Sequence, residues 1–353
     1  MNFHGGDVYR YSGDLIDFSS NINPLGVPDS FRRLLLERME DFTRYPDIEY
    51  QELRKRIADY LHIYRPENIV PGNGAVELIY KLVAASGASR IVGLRPTFSE
   101  YGRAAMAAGV EYVDVPAFTG EFDDVDRELI LKETVPNSIV IICNPNNPTG
   151  TLIKKAAMRE LAEALLKRDC KLVIDEAFIE FTDSYPSESM ADTVEEFSNL
   201  TVIRAATKFF GMPGIRLGYA IVSDKAAAKT IKEHMEPWNI NTAAVIAAYS
   251  IFDDQRYIEK SRSWIRTERG YLYEGLANFR GLKVYPSKAN FHLLELTDRD
   301  MTASQLKAEM VKKGVLIRTA EGFNGLSEFH LRLAVKDRSS NDVLINTLKT
   351  LIE

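Results

Sequence analysis

One lysine of this chain is placed to do chemistry. Lys208 lies in Val202–Tyr219 (VIRAATKFFGMPGIRLGY), just past an apolar, strand-like run, with Thr207 beside it and Arg216 eight residues on. A lysine held in a low-dielectric loop has its ammonium form disfavoured, so its pKa falls and its amine becomes a nucleophile for carbonyl groups. An arginine and a hydroxyl next to that amine suit a phosphate. Asp175 ends the apolar run Lys171–Ile174 in LVIDEAF. An acid there either caps a loop or faces a cationic ring nitrogen.

Other parts of the same chemistry are scattered along the chain. Gly72-Asn73-Gly74 sits between an apolar run and a helix start. It is either a connecting turn or a place where Gly74 lets the backbone approach an anion and the first amides, Ala75 and Val76, bind it. It is not the dinucleotide fingerprint G-x-G-x-x-G, and no phosphate loop ending in G-K-[ST] is present. Phe98, in RPTFSEY, is a core aromatic or a stacking platform for a ring. Asn147, in NPNNPTG, is a turn former or a hydrogen-bond partner for a ring oxygen. Arg318 and Arg332 fall at strand ends near the C-terminus, and the planar guanidinium suits carboxylate and phosphate alike. The carbonyl cofactor that needs such a lysine, an acid for its ring nitrogen and a phosphate site is pyridoxal phosphate (PLP).

These residues need elements to hold them. From Ile69 onward short apolar runs alternate with helical patterns. The spacing predicts strands near Ile69, at Arg90–Leu94, Tyr112–Val115, Ile139–Cys143, Lys171–Asp175, Thr201–Arg204 and Gly218–Val222. Helices are predicted over Ala75–Ala85, Tyr101–Ala108 and Met158–Lys167, preceded by two at Pro28–Met39 and Tyr50–Leu61. That alternation argues a mainly parallel sheet between helices, with ligands bound beyond the strands' carboxyl ends, where all the polar motifs fall. A long helix from about Gln255 to Phe279 leads into a smaller domain. There strands are expected near Lys283–Tyr285, Phe291–Leu296, Val315–Arg318 and His330–Val335, with helices at Ala303–Lys313 and Asn341–Leu351. Residues 1–30 look irregular, with only the short apolar run Leu15–Phe18 before the turn-rich SSNINPLGVP.

Composition narrows the class. A chain of 353 residues with 45% hydrophobic and 27% charged residues is long enough for one large and one smaller domain. A net charge of -6 argues against nucleic acid as a partner, though a local arginine cluster can still bind a small anion. Two cysteines, Cys143 and Cys170, lie in apolar runs with no metal-ligand or redox spacing. No run has signal-peptide or membrane-span length, so a cytoplasmic protein without membrane or metal is expected.

Taken together, GNG, PTFSEY, NPNNPTG, LVIDEAFIEF, ATKFFGMPGIRLGY and HLRLAV, in this order, resemble the aspartate-aminotransferase-like PLP enzymes of fold type I. The resemblance spans nearly the whole chain. It implies an α/β fold: a large domain with a mainly parallel seven-stranded sheet between helices, and a smaller α+β C-terminal domain. It also implies roles. Lys208 is the lysine that carries PLP, Asp175 pairs with the pyridine nitrogen, Phe98 stacks on the ring and Asn147 bonds its 3′-oxygen. Thr207, Arg216, Gly74 and the amides of Ala75 and Val76 hold the phosphate. Tyr45, in RYPD, resembles a tyrosine that reaches the phosphate of a neighbouring subunit, implying a homodimer with shared sites. Two departures stand out: Phe178 where a tyrosine is frequent, and Ala205 where a hydroxyl residue is frequent.

Within the family the pattern is nearest to histidinol-phosphate aminotransferases and threonine-phosphate decarboxylases. HGGD, DFSSNINPLG, RYPD, DEAF and PWNIN resemble the decarboxylases more. That likeness implies decarboxylation of L-threonine O-3-phosphate to (R)-1-amino-2-propanol O-2-phosphate, as in cobalamin biosynthesis, with transamination of histidinol phosphate as the alternative. It divides the chain into a segment 1–30 closing over the site, a PLP-binding domain 31–260 and a small domain 261–353. His4, Gly5, Asn21 and Asn147 would then meet a phosphorylated amino-acid substrate, and Arg318 and Arg332 its two anionic ends.

Overall fold

Seven strands packed side by side form the centre of the computed structural model, which describes residues 4–352. In chain order the strands are β1 (Ile16–Asp17), β2 (Ile69–Asn73), β3 (Arg90–Leu94), β4 (Glu111–Val115), β5 (Phe118–Thr119), β6 (Asp124–Val125), β7 (Ser138–Cys143), β8 (Lys171–Asp175), β9 (Leu200–Ala205), β10 (Leu217–Val222), β11 (Leu282–Val284), β12 (Phe291–Leu296), β13 (Val315–Leu316), β14 (Arg318–Thr319) and β15 (His330–Ala334). The large sheet has the order β2-β10-β9-β8-β7-β3-β4. Strand β10 runs antiparallel to β2 and β9, and the remaining pairs are parallel. Every residue of β7, β9 and β10 is buried, which is why they read as unbroken apolar runs rather than as alternating ones.

This topology positions the chemistry. Six strands point their carboxyl ends at one edge of the sheet, and the reversed β10 brings its amino end to the same edge. The segments that follow β2, β3, β7, β8 and β9, and the one that precedes β10, therefore converge. These segments carry Gly74, Phe98, Asn147, Lys208 and Arg216, and Asp175 closes β8 at the same edge.

A second, antiparallel sheet of order β11-β12-β15-β14 follows the helix Gln255–Ala277. That helix starts where the Asp254 side chain accepts from the Tyr257 amide. Helices Ala303–Lys312, opened by a Thr302–Gln305 capping box, and Arg338–Ile352 accompany the sheet. The latter starts three residues before the Asn341 expected from apolar spacing alone.

Two sequence expectations need correction. The run Val315–Arg318 is not one strand. It breaks at Ile317, so β13 and β14 pair with different partners. The segment before residue 30 is not wholly irregular either. Ile16 and Asp17 pair in parallel with Val315 and Leu316, the Phe18 amide donates to Leu316 O, and the Ala334 amide donates to Phe18 O. A two-residue strand is too short for any periodicity, so only its partner reveals it. Among the described residues no helix is long and apolar enough to cross a membrane.

Candidate active site

A cavity of about 220 Å³ opens at the shared edge, and Lys208 lies in its wall. Strand β9 stops at Ala205, and the single turn Ala206–Phe209 carries Lys208 beyond the sheet. Burial, joined by the positive charges of Arg332, Arg216 and Arg318, lowers the lysine to about 8, while Asp175 opposes the shift. The amine is therefore half neutral at about pH 8 and mostly neutral only above it. Capture of PLP by the apoprotein, followed by absorbance, is expected to quicken with pH through about 8 and then level off. A profile centred near the ordinary lysine value contradicts this account.

Asp175 is the last residue of β8, in register with Cys143 and Ile203, and only 3% exposed. Its Oδ2 accepts from the Tyr101 hydroxyl at 2.8 Å and its Oδ1 from the Ala177 amide at 3.1 Å. Burial raises the carboxyl to about 6 even though these donors pull it down. A buried acid in that state gains from a cationic partner such as a protonated ring nitrogen. Tyr101 was not singled out from the sequence. The signal was present: it lies three residues after Phe98 in PTFSEY, and the two rings meet edge to face at 5.7 Å.

The phosphate end is built from backbone. Gly74 has φ +82°, and a Cβ there would collide with the Arg216 guanidinium. Helix Ala75–Ala85 has no side-chain cap at Gly74, which leaves its first amides for an anion. Ala75, Val76, Thr207 and Arg216 all line the cavity. Gly74→Val is expected to weaken PLP binding about 10- to 100-fold, because it strains the turn and displaces the arginine. Equilibrium dialysis reads the effect, and unchanged affinity would rule out the cradle.

Phe98, half-buried, also lines the cavity, as do Phe178 and Ala205. Phe178 packs edge to face on Phe291, so an apolar ring stands at this position. Asn147 accepts from Arg332 Nη1 through Oδ1 at 2.6 Å, which leaves its Nδ2 to donate to a ring oxygen.

Arg318 and Arg332 are register partners on β14 and β15. Like charges directly opposite repel. Burial lowers Arg318 to about 10, and burial together with Arg318 holds Arg332 well below the ordinary guanidinium range. Arg332 Nη2 donates to Ser19 O at 2.7 Å, yet the Nε of both arginines is buried without a hydrogen-bond partner among the described residues. Both side chains face the cavity wall shared with His4, Gly5 and Asn21. The Asn21 amide is 2% exposed, and neither of its polar atoms is hydrogen-bonded among the described residues. Tyr45 lies elsewhere: it is 75% exposed and stacked on Trp238 at 4.4 Å.

The donor set fits PLP. The cavity offers one acid for a ring nitrogen, one depressed lysine for a carbonyl carbon and a backbone cradle with an arginine for a phosphate.

Comparison with known proteins agrees. The model of the family described as aminotransferase class I and II matches residues 13–348. The chain is 40% identical to a protein of Caldanaerobacter subterraneus named putative threonine-phosphate decarboxylase, over 99% of this chain and 94% of that one. It is 30% identical to the threonine-phosphate decarboxylase of Salmonella typhimurium, over 99% and 96%. The crystal structure of the histidinol-phosphate aminotransferase from Clostridium acetobutylicum superposes with a TM-score of 0.90 at 37% identity, covering 96% of this chain and 99% of that one.

Proposed function

Because the chain belongs to the aminotransferase class I and II family and is a PLP enzyme, we propose that it decarboxylates L-threonine O-3-phosphate. The products are (R)-1-amino-2-propanol O-2-phosphate and carbon dioxide. The observation that carries this reading is the pair Arg318–Arg332. Once Arg216 is assigned to the cofactor phosphate and Asp175 to its ring nitrogen, two buried guanidinium groups remain, each with an Nε that has no hydrogen-bond partner among the described residues. Threonine phosphate brings two anionic groups, a carboxylate and a phosphate. Histidinol phosphate brings one, although the 2-oxoglutarate that its transamination also needs brings two. The two relatives named as threonine-phosphate decarboxylases support the same choice.

The cofactor, when bound, accepts the electron pair of whichever Cα bond stands perpendicular to its ring plane. This chain's own residues decide which bond that is. Arg332, fixed by Asn147 and Ser19, takes the carboxylate, and Arg318 takes the phosphate. Holding both ends sets the rotation about the Cα–N bond, so the carboxylate stands perpendicular and the Cα hydrogen does not. Carbon dioxide leaves, and Lys208 delivers a proton to Cα. Asn21 and the N-terminal segment complete the wall over the substrate and exclude water. Tyr45 serves the cofactor phosphate of a second copy in a homodimer, which accounts for an exposed aromatic far from its own cavity.

A second reading, transamination of histidinol phosphate, is favoured by the close superposition on the Clostridium acetobutylicum enzyme. Product analysis separates the two. Carbon dioxide and a phosphorylated amino alcohol formed without 2-oxoglutarate support the decarboxylase. Glutamate formed from histidinol phosphate and 2-oxoglutarate, with no carbon dioxide from threonine phosphate, supports the aminotransferase.

A further inference from the structure

A buried carboxylate that faces a ring nitrogen can take the shared proton itself instead of leaving it on the ring. Which group carries it depends on what else bonds the carboxylate. Among the described residues two hydrogen-bond donors reach that of Asp175: the Ala177 amide at Oδ1 and the Tyr101 hydroxyl at Oδ2. The first is backbone of the turn after β8. The second is a side chain from another part of the fold, 74 residues away.

Tyr101 lies on the first turn of helix Glu100–Ala107 and is wholly buried. Its ring stands at 83° to that of Phe98, and its amide donates to Phe98 O at 3.4 Å. Burial and the neighbouring Asp175 push the phenol well above its ordinary range, so it keeps its proton wherever the carboxyl titrates. On the strand side Cys143 is the register partner of Asp175. Its thiol donates to Pro145 O at 3.2 Å, and burial pushes it up, so it stays neutral. Burial and Glu176 favour the neutral carboxyl, while Tyr101, Ala177 and Lys208 favour the ionised one, and the balance stands at about 6. A pyridine nitrogen also titrates in the weakly acidic range. The proton between the two is therefore closely balanced, and one hydrogen bond is enough to place it.

We propose that Tyr101 is a positioning residue for this proton: by donating to Asp175 Oδ2 it holds the carboxylate ionised and so leaves the proton on the cofactor's ring nitrogen. This rests on the reading of Asp175 as the partner of that nitrogen. The cofactor withdraws electrons best with its ring nitrogen protonated. The phenol thus acts on the reaction through Asp175, without touching the substrate.

The test is nitrogen-15 NMR of the protein loaded with PLP labelled at the ring nitrogen, in wild type, Tyr101→Phe and Asp175→Asn. Tyr101→Phe removes only the hydroxyl and keeps the ring against Phe98. Loss of one hydrogen bond to a charged group is expected to shift the ratio of ring-protonated to carboxyl-protonated forms about 10-fold toward the carboxyl. The signal then moves toward that of a neutral pyridine, as it should in Asp175→Asn. In Tyr101→Phe kcat should fall in proportion to the protonated fraction, with KM unchanged. In the PLP-free protein, carbon-13 NMR should find the Asp175 carboxyl titrating about one pH unit higher in Tyr101→Phe than in wild type. Replacing Tyr101 by 3-fluorotyrosine, a stronger donor of nearly the same shape, should leave the nitrogen signal at its wild-type position or nearer the protonated ring.

A neutral ring nitrogen in wild type would overturn the inference, as would 3-fluorotyrosine moving the signal toward neutral pyridine. Weaker PLP binding by Tyr101→Phe with an unmoved signal would mark the phenol as packing alone. A signal that moves in Asp175→Asn but not in Tyr101→Phe keeps the reading of Asp175 and sinks the inference by itself. A signal that moves in neither variant sinks both.

Discussion

Lys208→Ala is expected to lower turnover of L-threonine O-3-phosphate by about 10⁴-fold or more. Two jobs fall on this one amine. In the proposed reaction it would carry the cofactor through its carbonyl carbon and deliver the proton to Cα after carbon dioxide leaves. Its surroundings fit both jobs, since burial and three arginines keep its pKa at about 8, where it can be either base or acid near neutrality. Among the described residues no other lysine lines the cavity. Borohydride reduction followed by peptide mapping should attach PLP to the Lys208 peptide of the wild type and to no peptide of the variant. Turnover in the variant above about 1% of wild type would mean that another group moves the proton.

Arg332→Lys should cost about 10²- to 10³-fold in kcat/KM. The guanidinium does two things in the structure, Nη1 donating to Asn147 and Nη2 to Ser19 O, and in the proposed reaction it would also take the substrate carboxylate. A lysine is a point charge on a flexible stem and cannot hold two fixed acceptors and a carboxylate plane together. Losing two charge-assisted hydrogen bonds at about 1.5–2 kcal/mol each, about 3–4 kcal/mol together, gives the stated range. The loss should appear in kcat as well as KM, because the carboxylate angle selects the bond that breaks. Turnovers that remove the Cα hydrogen instead should become a larger share, detectable as cofactor lost to its amine form. A variant within threefold of wild type, with no such partition, contradicts the assigned grip.

How much of this was legible in the sequence depends on the range of the interaction. Ala75–Ala85, Lys171–Asp175 and Phe291–Leu296 end in the structure at the residues that local patterning picks out, because each boundary is set by a Gly turn, a polar terminus or a chain reversal nearby. Seven strands and their helices follow from the same alternation. What could not be read locally was pairing. Strand β1 exists only because Val315–Leu316 lies beside it, and the break at Ile317 exists only because β13 and β14 answer to different neighbours. The reversal of β10, which brings Arg216 to the site, is likewise a property of the sheet rather than of LGYAIV.

The site divides in the same way. Lys208, Asp175, Asn147 and Arg216 lie in short polar breaks after or before apolar strands, so their residue types were conspicuous. Tyr101 sits on the first turn of a helix within a motif already noticed, but its importance lies in a partner 74 residues away. Arg318 and Arg332 were visible as arginines at strand ends. That they stand opposite each other emerges only from the register of β14 and β15. Tyr45 is exposed and stacked on Trp238, and the role proposed for it needs a second copy of the chain.

The central claim is that this cavity breaks the bond from Cα to the carboxylate and leaves the Cα hydrogen in place. The direct measurement is turnover of L-threonine O-3-phosphate, carboxyl-labelled and run in deuterium oxide, with the amine product examined by mass spectrometry and NMR. The account predicts labelled carbon dioxide in a one-to-one ratio with an amino-propanol phosphate that keeps its original Cα hydrogen and gains one deuterium. Label retained in the amino acid, with its Cα hydrogen exchanged for deuterium or lost to a keto product, would contradict it.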